Sequence, residues 1–197
     1  MPLVTDYQQV KETYREAAEM GVALPVFCAE DRETLEAILA SVVEVGKEIG
    51  VEDLPIIPAF TVRYHGRPQA TLITACGDPL LGARLHLSDL DVLMGEGSPY
   101  RHLRVMPHVD HGIPWLDADV MEGLADRVAS VMCDASEKPF EENIRITAAY
   151  VERMRGKVVV EGAVDEIWAS GNEVKNEPTT VAQAVRFLRE TGVDILV

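Results

Sequence analysis

The most constraining feature of the chain is a beat: short apolar runs of strand length alternate with longer stretches whose apolar residues recur at helical spacing. Residues 5–20 predict a helix, with Thr5 or Asp6 able to cap it, Val10, Tyr14 and Ala17 on one face, and Gly21 ending it. Val22 to Cys28 follows as an apolar run of strand length. Asp31 can cap a second helix, in which Leu35, Ile38, Leu39, Val42, Val45 and Ile49 form one stripe. The beat continues with strands expected at 24–28, 54–62, 103–109, 128–133, 157–162 and 193–197. The helices between them span about Pro79–Met94, Leu116–Arg127, a stretch capped by Ser136, and a stretch capped by Thr179; residues 168–178 form a polar loop.

Such spacings are too long for hairpins and suit parallel strands joined by crossover helices. The strands are apolar along their length, as strands covered on both faces should be. A closed barrel and an open doubly wound sheet share this pattern. No Gly-x-Gly-x-x-Gly turn follows the first strand and no Walker-type loop occurs, which argues against the familiar nucleotide sites.

Composition narrows the setting. With 197 residues, 47% of them hydrophobic and 26% charged, the chain reads as a single globular domain, 1–197. No apolar run approaches the roughly 20 residues of a membrane span. The first 20 residues lack the apolar core of a secretory signal. Cys28, Cys76 and Cys133 lie far apart with no CxxC pair, which predicts buried thiols in a reducing compartment and hence a soluble, cytoplasmic protein. A formal net charge of −15 repels nucleic acid and anionic membrane surfaces, so neither is an expected partner.

In either architecture chemistry sits at the carboxyl ends of the strands. The polar residues expected there are Cys28 and Glu30, then Arg63, Tyr64 and His65, then His108, Asp110 and His111, then Asp134 and Ser136, and finally Glu161 and Asp165. The densest cluster is His108-Val109-Asp110-His111-Gly112. Imidazole is the commonest metal ligand, and a carboxylate beside it can move a proton. Along a regular strand His108 and Asp110 share a face while His111 points away. Asp110 and His111 can serve one site only if the strand ends there, which Gly112 followed by Ile113-Pro114 suggests. The competing possibility is a pair of structural histidines satisfied by hydrogen bonds. His65, His86 and His102 read as surface or structural, and Arg63 and Arg67 as either phosphate ligands or solvated loop cations.

His108-Val109-Asp110-His111-Gly112 resembles the His-x-Asp-His-Gly strand end of the class II, metal-dependent fructose-bisphosphate and tagatose-bisphosphate aldolase family. Val131-Met132-Cys133-Asp134-Ala135-Ser136, the segment Pro139-Phe140-Glu141-Glu142-Asn143-Ile144 and Val160-Glu161-Gly162 are similar to the family's next strand, helix and strand. Leu24-Pro25-Val26-Phe27 and Thr191-Gly192-Val193-Asp194 add looser support.

The resemblance implies a (β/α)8 TIM barrel, of which this chain holds about six βα units, with the C-terminal strands expected beyond Val197. It implies a zinc-dependent aldehyde-lyase of carbohydrate metabolism that cleaves or forms a ketose (bis)phosphate, with phosphorylated ketose and aldehyde substrates and a homo-oligomeric assembly. Asp110 would be the proton donor and acceptor, His108 would orient the site, and His111 and Glu161 would hold Zn²⁺ or another divalent cation. Asp134 and Ser136 would contact substrate. Two departures stand out: no histidine follows His111, and Ala163 replaces the second acid of the family's Glu-x-Glu. These motivate an alternative, a non-catalytic barrel of the same family that binds a sugar phosphate or supports a partner.

Overall fold

The computed structural model describes residues 3–29, 31–166 and 178–197. Glu30 and the loop at 168–177, both singled out above, lie outside the described residues.

Helix α1 (Tyr7–Met20) opens the chain; Asp6 caps it by accepting from the Gln8 and Gln9 amides, and Gly21 ends it in the left-handed region. Strand β1 (Val26–Cys28) leads to α2 (Arg32–Ile49), capped by Asp31 and closed by Gly50. Strand β2 (Pro55–Thr61) is followed by a short helix, α3 (Gln69–Leu72), and by α4 (Pro79–Leu93). Then come β3 (Arg104–Val105), β4 (His108–Gly112), α5 (Ala118–Gly123), β5 (Ser130–Cys133), α6 (Phe140–Met154), β6 (Val159–Gly162), α7 (Val181–Thr191) and β7 (Ile195–Leu196).

All strand pairs are parallel, and the order along the sheet is β1-β2-β4-β5-β6-β7, with β3 beside β2. Spatial order thus follows sequence order, as in a barrel, with no reversal of the kind a doubly wound sheet requires. The single strand expected at 103–109 is two pieces. Pro107 has no N–H for the ladder, so β3 and β4 are separated at Met106-Pro107 while both remain beside β2. The second piece runs on to Gly112, three residues further than expected.

Alternation sorts the strand residues onto two faces. Ile56, Phe60, Val105, Val109, Val131 and Val160 pack outward into the larger core with the helices. A smaller core holds Ile57, Met106, Ala129 and Val159 from the other face, with Val10 of α1 buried among them and Tyr7 and Tyr14 packed alongside. Helix α1 therefore caps the sheet's inner face at the amino end of the strands. Its Tyr7 hydroxyl donates to Asp194 at 2.8 Å, and Lys11 pairs with the same carboxylate at 2.9 Å.

Several local expectations are corrected. The other strand ends shift by up to two residues. Ser136 does not cap α6, whose N-cap position is Pro139 with no side-chain cap bond, and Thr180 rather than Thr179 caps α7, in a capping box with Gln183. Helix α3 occupies a stretch to which the sequence reading assigns no element. β1 is an edge strand, so Val26 and Phe27 are each about half exposed rather than covered. Among the cysteines only Cys133 is buried; Cys76 is exposed and Cys28 intermediate.

Candidate functional site

The inward side chains of β4, β5 and β6 meet near the carboxyl end of the sheet, and a bulge in β4 shapes the meeting. The β4–β5 register shifts between Val109 and Gly112. His111 adopts φ of 47°, the one described non-glycine residue at positive φ. The strand therefore does not end before His111, as the sequence suggested. A backbone kink in the left-handed region brings His111 round to the side of Asp110, at a conformational cost of about 1–3 kcal/mol that the surrounding contacts must hold in place.

Those contacts are specific. His111 Nδ1 lies 2.6 Å from Asp134 Oδ2, and its ring stacks on Tyr64 with centroids 4.1 Å apart. Ser136 donates to Asp134 through its hydroxyl at 2.6 Å and its amide at 3.1 Å, which fixes the carboxylate. Burial opposes charge on His111, but the Asp134 hydrogen bond and the negative charge of Asp110 outweigh it, so its pKa is raised. Asp134 is likewise penalised by burial, yet its bonds to His111 and Ser136 hold it below the usual carboxylate range.

His108 is 2% exposed and lies one step deeper. Its Nδ1 is 2.8 Å from Ser130 Oγ and its Nε2 is 3.8 Å from Glu161 Oε2. Burial pushes its pKa down to about 4, so it is neutral at pH 7. Glu161, pressed first by burial and then by the Asp110 charge, is raised to about 7. Beneath them Tyr14 of α1 lies beside Ser130, whose hydroxyl meets His108.

Asp110 faces the loop after β2. Arg67 Nη2 donates to its Oδ2 at 2.8 Å, and the Cys28 thiol does so at 3.2 Å. Sequence reasoning left Arg67 undecided and placed Cys28 in a core; the signal available was only their position after two neighbouring strands. Burial pushes the Cys28 thiol up to about 12, so it serves as a hydrogen-bond donor and not as a nucleophile. Arg63 faces away, tied to Asp117 at 2.8 Å and Asp119 at 3.1 Å.

His108, Asp110, His111, Asp134, Ser136 and Glu161 are thus one constellation. Asp165 is elsewhere, accepting from the Thr179 hydroxyl. As a metal donor set it is incomplete: no group of three or more His, Cys, Asp and Glu among the described residues is placed to hold an ion. A ligand role would fall most readily to His111, since engagement of Nδ1 by Asp134 leaves Nε2 open.

The family model described as "Fructose-bisphosphate aldolase class-II" matches residues 8–197. The chain belongs to the class II fructose-bisphosphate aldolase family. It is 27% identical over 200 residues to a fructose-bisphosphate aldolase of Staphylococcus epidermidis, covering 100% of this chain and 60% of that one. It is 25% identical over 196 residues to the Treponema pallidum fructose-bisphosphate aldolase, covering 94% and 52%. Among solved structures, the fructose-bisphosphate aldolase of Campylobacter jejuni superposes with a TM-score of 0.72 at 18% identity, over 96% of this chain and 55% of that one. The YdjI aldolase of Escherichia coli K12 does so with a TM-score of 0.60 at 24% identity, over 95% and 62%. The fold is that of a class II aldolase barrel, and the chain spans little more than half the length of these relatives. No helix among the described residues is long and apolar enough to cross a membrane.

Proposed function

We propose that this family member is an aldehyde-lyase acting on a phosphorylated ketose, with Asp110 exchanging the proton of the alcohol that becomes the aldehyde. The observation that carries this reading is the bulge in β4, which sets an acid and a carboxylate-oriented imidazole side by side, Asp110 Oδ1 4.0 Å from His111 Nε2. In a regular strand the two would face opposite sides of the sheet. Strained backbone of this kind persists where surrounding contacts and function hold it.

The roles divide by chemistry. Asp110 takes the hydroxyl proton as the carbon–carbon bond breaks and returns it in the condensation direction. Asp134, with Ser136 behind it, orients His111. Neutral His108 positions Glu161. A divalent cation, Zn²⁺ by family analogy, supplies Lewis-acid polarisation of a carbonyl when bound. His111 would be its ligand in this chain, with Glu161 as the acid offered by β6, and further donors would be needed to complete the set.

A second reading is favoured by one observation. Asp110 is held by Arg67 at 2.8 Å, which suits a binding module more than a proton shuttle. Bound zinc and aldehyde release from ketose bisphosphates, measured together on the full-length polypeptide, separate the two. Asp110→Ala should cost roughly 10²–10⁴-fold in turnover and leave metal content unchanged. His111→Ala should lower both. Wild-type protein that binds zinc and releases no aldehyde from any ketose phosphate would replace the lyase with the binding module.

A further inference from the structure

Beside Arg67, with Asp110 not in its lining, is a cavity of about 390 Å³ lined by the α2 start (Asp31, Arg32), the Gly66–Gln69 stretch, Leu72, Ile73, and His86 and Asp89 of α4. Of the constellation and its direct partners, Arg67 alone belongs to this lining. Two of its lining residues each carry a buried polar atom without a hydrogen-bond partner, Arg67 Nε and His86 Nε2. Among the described residues these are the two such side-chain atoms, and both belong to lining residues. A buried unpaired polar atom costs about 1–3 kcal/mol, so two around one cavity call for an explanation.

We propose that this cavity binds a small hydroxylated anion, and that its occupancy draws Arg67 off Asp110. The chemistry follows from the two orphans. A guanidinium N–H asks for an anionic acceptor. His86 is 3% exposed and neutral at pH 7, burial having lowered its pKa to about 4. Nε2 is closed off as the ring now lies; once the ring turns to the cavity, a hydroxyl satisfies it in either tautomer, because a hydroxyl both donates and accepts. Of the other charges, Asp31 accepts from the Thr34 amide and hydroxyl, Arg32 pairs with Glu33, and the Asp89 carboxylate acts on Arg32 through its charge, so Arg67 must supply the pull on an anion. The volume is in the range of small-molecule sites.

Coupling is a consequence of geometry. Arg67 Nε is closed off as the side chain now lies, so a ligand reaches it only by turning the guanidinium into the cavity. That rotation breaks the 2.8 Å bond to Asp110 and the 3.0 Å contact with Cys28 Sγ. The site and Asp110 therefore compete for one side chain, and the ligand frees the carboxylate. The binding claim is independent of the proposed lyase activity; only the meaning of a freed Asp110 rests on it.

Isothermal titration of the full-length protein with glycerol 3-phosphate tests the proposal, with inorganic phosphate as the control. Wild type should bind glycerol 3-phosphate measurably at millimolar concentration and more tightly than inorganic phosphate. Asp110→Asn weakens the competitor and should tighten binding by about three- to tenfold. His86→Phe, which removes an unpaired nitrogen and keeps a ring, should fold and loosen binding by about three- to tenfold. Leu72→Trp, at an exposed wall position, should block entry without touching Arg67. Absence of binding to wild type overturns the proposal, as does weaker binding to Asp110→Asn, which would put the ligand in the cleft. Indifference to both His86→Phe and Leu72→Trp overturns it too, and equal affinity for inorganic phosphate removes the hydroxyl contact. Loss of aldol activity with binding intact would strike the lyase reading and leave this one standing.

Discussion

At the scale of single residues the site is a set of opposed electrostatic demands, and two of them can be tested directly. Glu161 has a folded pKa near 7 against an ordinary value of 4.5, so the native state holds its proton more tightly than the unfolded chain does. Stability is then fully present below about pH 4.5 and falls as pH rises through 7, by on the order of 2–3 kcal/mol. Glu161→Gln removes the charge. In chelator-treated protein, urea unfolding should show the variant more stable than wild type at pH 8 and the two converging near pH 4.5. His111 is the opposite case. Burial lowers its pKa, and Asp134 together with the Asp110 charge more than restores it. Asp134→Asn should therefore lower the pKa of the His111 imidazole, read by proton NMR titration of the ring in metal-free protein. An unchanged titration would mean that Asp110 rather than Asp134 sets its charge.

At the scale of elements the decisive one is β4, and its C-terminal glycine is the tightest point. A Cβ on Gly112 would stand 2.9 Å from Met121 Sδ and 3.0 Å from the Met132 carbonyl oxygen. The methionine can give way; the strand backbone of β5 cannot. Gly112→Ala should cost about 1–3 kcal/mol by thermal unfolding and displace His111 from Asp134. This element also shows what a sequence does and does not disclose. The alternation of apolar runs and amphipathic stripes announced the parallel sheet, because burial on both faces leaves a composition trace along the strands; its sequential order came only through the family resemblance. The cluster at 108–112 announced itself by residue type. The bulge did not, since no residue in His-Val-Asp-His-Gly demands a left-handed histidine; that conformation is imposed by Asp134 and Tyr64 from other elements. For the same reason Arg67 and Cys28 were invisible as partners of Asp110. Three strands set their distance from it, and no spacing along the chain encodes that.

At the scale of the whole molecule, the helix beneath the strands ties the beginning of the chain to its other end. Tyr7 and Lys11 meet Asp194, 187 and 183 residues away. Asp194 in turn bonds the Val160 amide at 3.1 Å, so one carboxylate joins α1, β6 and the approach to β7. A shortened chain lacking residues 193–197 should retain most of its helical circular dichroism while α1, untouched in sequence, is cut far faster by protease. Equal cleavage rates would mean that Val10 and Tyr14 hold the helix without help. The same tie has a meaning in time. A ribosome adds about 5–20 residues per second, so α1 waits roughly 10–40 s for the aspartate that receives it, 187 residues on. Until then its apolar stripe is in water, open to a chaperone or to a wrong partner.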